Sequence, residues 1–75
     1  MTPRERIEIV ANAEAAAASF EAYAALTAVE ALEHWADGSL RFYPCLARAV
    51  ASSWVAVGFR AFARHYAAPR ESDRG

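Results

Sequence analysis

Phe20, Tyr23, Leu26, Val29, Leu32 and Trp35 recur at every third residue through the stretch FEAYAALTAVEALEHW. An α-helix turns about 100° per residue, so a strict three-residue step retreats by about 60° each time, and six such residues circle the helix. A helix that is apolar all round calls for neighbours on more than one side. A chain of 75 residues has few to offer. TPRE at 2–5 is a helix start, with Thr2 as N-cap, Pro3 at the first helical position and Glu5 placed to close a capping box. From Arg4 to Ala36 no Gly or Pro interrupts, and the pattern predicts helix over about 3–36, with Asn12 or Ser19 as places for a bend. DGS at 37–39 ends it, with Gly38 suited to the left-handed position beyond the last turn. SLRFY at 39–43 reads as a loop or short 3₁₀ turn, because Pro44 disfavours helix immediately before it. The second helix is expected over about 44–67, stopped by Pro69, and the polar residues 69–75 read as a disordered tail. The expected architecture is all-α: a two-helix antiparallel hairpin in a single domain over 1–68.

On a helical wheel, Val10, Ala17, Ala24 and Ala31 form one seven-residue series on the first helix, flanked by Ala13, Phe20, Ala28 and Trp35. Small residues at that spacing let a second helix approach near the short end of the 8–10 Å range. On the second helix Ala47, Ala51 and Gly58 read as the matching small stripe. That helix also carries two apolar faces about 120° apart: Leu46, Val50, Trp54, Val57 and Ala61 on one, and Val55, Phe59, Phe62 and Tyr66 on the other. One face is expected to pack within the hairpin and the other to be covered from outside. Dimerisation into a four-helix bundle is the simplest such cover.

Composition sharpens this picture. Apolar residues make up 56% of the chain, 20 of them Ala, which is helix-forming material with little bulk for a core. The formal net charge of −1 hides a division: residues 1–37 hold two Arg against seven acids, and residues 38–75 hold six Arg against two. Complementary halves fit two segments folded on each other and leave no basic excess for a polyanion. All eight basic residues are Arg and none is Lys, which with the alanine content suggests a GC-rich bacterial or phage origin. The N-terminus has no signal-peptide pattern. The longest uncharged run, residues 49–59, is 11 residues, against the ~20 that a membrane span needs. The expectation is a cytoplasmic chain without a membrane span.

Candidate chemistry is sparse. In an antiparallel hairpin turning near residue 40, facing positions sum to about 80. This sets Glu21 opposite Arg60, Glu14 near Arg64 and His65, and Glu30 or Glu33 near Arg48, as ion pairs fixing register. Cys45 reads as a small buried residue, since no His or acid partners surround it. No catalytic carboxylate pair, cofactor site or metal site is expected, and the chain reads as non-enzymatic. Glu30, Glu33 and His34 resemble fragments of di-iron helices, but the Glu-x-x-His spacing is broken by Ala31; a metal-binding helical oligomer is therefore only an alternative. Length, hairpin and tail resemble the small plasmid copy-control hairpins that dimerise into a four-helix bundle and bind paired RNA loops. That resemblance implies an RNA- or DNA-binding regulator, which the acidic first helix opposes. Trp35 and Gly38 in WADG resemble the turn of secreted Trp-x-Gly hairpins, one residue longer in spacing.

The favoured reading is a small protein-binding module: a regulator, an accessory subunit, or a phage or mobile-element inhibitor of a larger host protein. Its expected partners are a second copy and a larger protein. Aromatics and Arg dominate such surfaces, which selects Tyr23, Trp54, Phe59, Arg60, Phe62 and Tyr66 as partner-binding or dimer residues. An acidic face through Glu5, Glu8, Glu30, Glu33 and Asp37 is a second candidate.

Overall fold

A computed structural model describes residues 1–67; the segment read from sequence as a disordered tail lies outside them. Two antiparallel helices, α1 (Pro3–Ala36) and α2 (Phe42–Ala67), form a hairpin measuring 61 × 16 × 12 Å. Thr2 has the extended backbone of an N-cap, and its hydroxyl accepts the Glu5 N–H at 3.1 Å. At the other end Gly38 takes φ 70°. The Ser39 N–H then reaches back to the His34 carbonyl at 2.8 Å, and the Gly38 N–H to that of Trp35 at 3.1 Å. This pair of bonds is a Schellman cap, which satisfies carbonyls the helix would otherwise orphan.

α2 begins at Phe42, two residues before the expected Pro44. The Phe42 and Tyr43 N–H groups bond to the Ser39 and Leu40 carbonyls in the 3₁₀ manner, and the Cys45 N–H bonds to that of Arg41. Pro44 is thus the third helical residue. Amide hydrogens in a first turn lack intrahelical acceptors anyway, so the proline forfeits no ladder bond there.

The seam between the helices follows a strict alternation of three- and four-residue steps: Ala13, Ala17, Phe20, Ala24, Thr27, Ala31 and His34 on α1, and Phe42, Cys45, Ala49, Ser52, Ala56, Phe59, Ala63 and Tyr66 on α2. Each is buried or partly buried except Phe20, which sits at the exposed rim. This is the heptad geometry of a coiled coil. The fully buried apolar set, among the described residues, is six alanines and Cys45. Thr27 is buried as well, and its hydroxyl donates to the Tyr23 carbonyl at 2.7 Å, so it brings no unsatisfied group into the seam.

Three expectations about packing are corrected. The small residues of α2 that meet α1 are Ala49, Ser52, Ala56 and Ala63, whereas Ala47, Ala51 and Gly58 are exposed. A Cβ built on Gly58 meets nothing within 4 Å, so no close approach inside the hairpin requires that glycine. Neither apolar face of α2 is taken into the hairpin: Leu46, Val50, Trp54 and Val57 on one side and Val55 and Phe62 on the other stay exposed, while Phe59 and Tyr66 reach only the seam edge. The physical reason is distance. Helices that touch mainly through alanine leave no room between them for aromatic or long aliphatic groups, which are pushed to the flanks.

The seam makes a contrast between inside and outside positions. Ala17→Leu, at a fully enclosed site (0% exposed), is expected to cost about 1–3 kcal/mol by overpacking. Ala47→Leu, on the outer side, is expected to change stability by less than about 0.5 kcal/mol. Thermal unfolding followed by circular dichroism measures both.

Candidate interaction surfaces

The seam divides the exterior into two broad faces. On one, Phe20 stacks on Phe59 across the helices, with ring centroids 5.8 Å apart and planes 18° from parallel. Tyr23 and Ser19 line a shallow hollow with Phe20, and Val55, Gly58 and Phe62 line another with Phe59. The stack joins the two hollows into one apolar patch at the middle of the hairpin. Phe62 continues toward the open end, its ring 4.6 Å from that of Tyr66.

The opposite face is charged at its open end. The Arg60 guanidinium grips the Glu21 carboxylate with two nitrogens, at 2.5 and 3.0 Å. Glu14 and Arg64 border a hollow with Arg60. The hydrogen bond from Arg60 holds the Glu21 carboxyl below its ordinary value of 4.5, and the same bond holds Arg60 above its own ordinary value. Toward the turn this face becomes a groove floored by Ala24, Ala28 and Ala49 and walled by Leu46, Val50 and Trp54.

The candidate partner residues are therefore split. Tyr23, Phe59 and Phe62 belong to one patch, with Tyr66 at its edge. Arg60 and Trp54 lie on the other side of the molecule. Phe20 and Val55, read from sequence as apolar-face positions and not as partner residues, complete the aromatic patch; Phe20 and Phe59 sum to 79 and so face each other in the register that pairs Glu21 with Arg60. The acidic candidates do not form one surface. Glu5 and Glu8 lie at the open end, with Glu8 3.7 Å from Arg4, and Glu30, Glu33 and Asp37 lie near the turn, more than 20 residues along the same helix, or about 33 Å. Of the expected ion pairs, Glu21 with Arg60 forms; among the described residues neither Glu30 nor Glu33 comes within ion-pair distance of Arg48. Cys45 is a free, buried thiol in the seam. No cluster of three or more His, Cys, Asp or Glu side chains is arranged to hold a metal ion among the described residues.

One property bears on location. α2 is long and apolar enough, by length and composition, to cross a bilayer. The buried core helix of a soluble protein meets the same test, and only 22% of the most apolar window of α2 is buried within the hairpin.

The molecule is thus an alanine-seamed helical hairpin with two unlike faces, one aromatic and one part charged, part grooved. No protein-family model matches the chain, and no curated protein or solved structure matches it either.

The Glu21–Arg60 pair gives stability a defined pH dependence. A carboxyl whose folded pKa lies below its unfolded value stabilises the fold above that unfolded value, here 4.5, and loses the contribution as pH falls through the lowered one. Glu21→Gln is expected to lower the thermal midpoint at neutral pH and to converge on the parent as pH drops well below 4.5. Parallel melts across the acid range measure it; a constant gap at every pH would remove the pair from the account.

Proposed function

We propose that this chain is a small non-enzymatic protein-binding module that acts as an assembled helical bundle, self-associating through one face and offering the remainder to a larger protein as a regulator, accessory subunit or inhibitor. One observation carries the reading: the interior is alanine while the large apolar groups stand outside. Trp54 is 70% exposed, Trp35 67% and Leu26 67%. Exposed apolar area on this scale marks an interaction surface, and a core of methyl groups is thin for a domain this small. Nucleic acid is the weaker alternative, because Arg60 is already engaged by Glu21 and has Glu14 close by.

A second reading, attachment to a membrane, has one observation in its favour, the length and apolar character of α2. Against it, Arg48 and Arg60 bracket only 11 uncharged residues, about 16 Å of helix, where a bilayer core is about 30 Å thick.

Sedimentation equilibrium over a wide concentration range, with helicity followed in parallel, tests the first reading. The expected result is a discrete oligomer whose helicity falls on dilution. A monomer that stays fully helical at every concentration would overturn it. Flotation with anionic lipid vesicles tests the second, and the expected result is that the protein stays with the soluble fraction.

A further inference from the structure

We propose that a second copy of this chain covers the aromatic face, with α1 of each copy lying across α2 of the other and both turns at the same end of the bundle. The inference rests on the self-association just proposed and adds the face, the occupant and the orientation. Three observations lead to it.

The first is the contrast between the faces. The centre of the aromatic face holds Phe20, Tyr23, Val55, Phe59 and Phe62, part exposed, with no charged group among the residues lining its two hollows. Covering that centre desolvates no ion. The other face carries Glu21 and Arg60, already satisfied by each other, and burying that pair would cost desolvation with no new partner to offset it. Gly58 fits the same choice. A helix-interior glycine costs about 1 kcal/mol relative to alanine, nothing inside the hairpin needs it, and it lines the aromatic hollow, where a neighbouring helix could come close.

The second is the charge of the helices. Residues 1–37 hold seven acids against two Arg. Residues 38–67 hold Arg41, Arg48, Arg60 and Arg64 and no acid. Two hairpins meeting face to face about a two-fold axis have two simple arrangements. With the axis across the helices, α1 stacks on α1 and α2 on α2, so acid meets acid and base meets base. With the axis along the helices, each acidic α1 sits between two basic α2 helices. Both keep every neighbouring pair of helices antiparallel, so dipoles do not choose between them; only the second alternates sign around the bundle, and charge decides.

The third is Glu30 and Arg48. They lie at one level on the turnward half of this face, and within the chain they do not pair. The arrangement with the axis along the helices sets Glu30 opposite the partner's Arg48, twice over. The alternative arrangement sets Arg48 over the partner's Phe62 and His65 instead.

Spin labels test the orientation. With Cys45→Ala removing the native thiol and Leu40→Cys labelled in the turn, where Leu40 is 80% exposed, turns at one end place the two labels within about 25 Å, given interhelical spacings of 8–10 Å. Turns at opposite ends place them near the 61 Å length of the hairpin. A short distance is the expected result, and a long one overturns the orientation while leaving self-association standing. Val55→Glu tests the face: it is expected to weaken dimerisation roughly 100-fold, and Val50→Glu, on the grooved side, less than about three-fold. Tyr23→Glu repeats the test from α1 should Val55→Glu lose helicity. The reverse ranking moves the interface to the other face. Glu30→Arg and Arg48→Glu are each expected to weaken dimers roughly ten-fold alone and to restore them when the two variants are mixed, since a mixed dimer pairs opposite charges at both places. Failure of mixing to restore dimers removes the Glu30–Arg48 contact. No dimer in the parent at any concentration would overturn the self-association reading itself.

Discussion

Six alanines, Cys45, Thr27 and Ser52 fill the space between the two helices, and this close contact sets almost everything else. Alanine brings helix axes near the short limit of their packing distance. At that distance the gap accepts nothing bulkier than Cys, Ser or Thr, so Phe20 and Phe59 stack at its edge and the tryptophans stay out altogether. Each buried methyl supplies about 0.8 kcal/mol, where a buried leucine or phenylalanine supplies about 1.5–3. The hairpin is therefore geometrically well defined and energetically lean, a combination that suits one half of a larger assembly.

The same closeness governs the charged contact. Helices this near allow Glu21 and Arg60 to bridge the seam from its rim without entering it, so the pair fixes the register of α1 against α2 while staying hydrated. The Phe20–Phe59 stack reports the same register from the other side. Between them they lock one sliding position along a seam whose alanines, being alike, would tolerate several. The two contacts also set the character of the faces, since the ion pair makes one side unattractive to bury and the stack makes the other continuous across both helices.

Much of this was legible in the chain. The limits of α1, the glycine cap at the turn, the antiparallel hairpin, the Glu21–Arg60 pairing and the burial of Cys45 all follow from local rules: Thr-Pro at the start, Asp-Gly at the end, and a constant sum of facing positions. The start of α2 does not follow, because the disfavour toward helix before Pro44 is offset where the amide groups of a first turn need no intrahelical acceptor. The seam of α2 was missed for a different reason. The alternation of three and four through Cys45, Ala49, Ser52, Ala56, Phe59 and Ala63 was present, but Ala49, Ser52 and Ala56 do not stand out as core residues beside Leu46, Val50 and Trp54. Hydrophobicity favoured the large residues, and the steric limit between close helices favoured the small ones.

The sequence by itself determined the elements and their order, since capping, proline and glycine act within a turn or two of where they stand. It also determined that apolar surface would exceed what one hairpin can bury, a matter of composition and length. Which surface remains outside was decided only by tertiary structure. Helical periodicity places several apolar stripes on α2, each able to face α1, and nothing local chooses among them. The choice came from matching two stripes at once, small against small along the whole length of the seam, a condition that exists only when the helices are brought together.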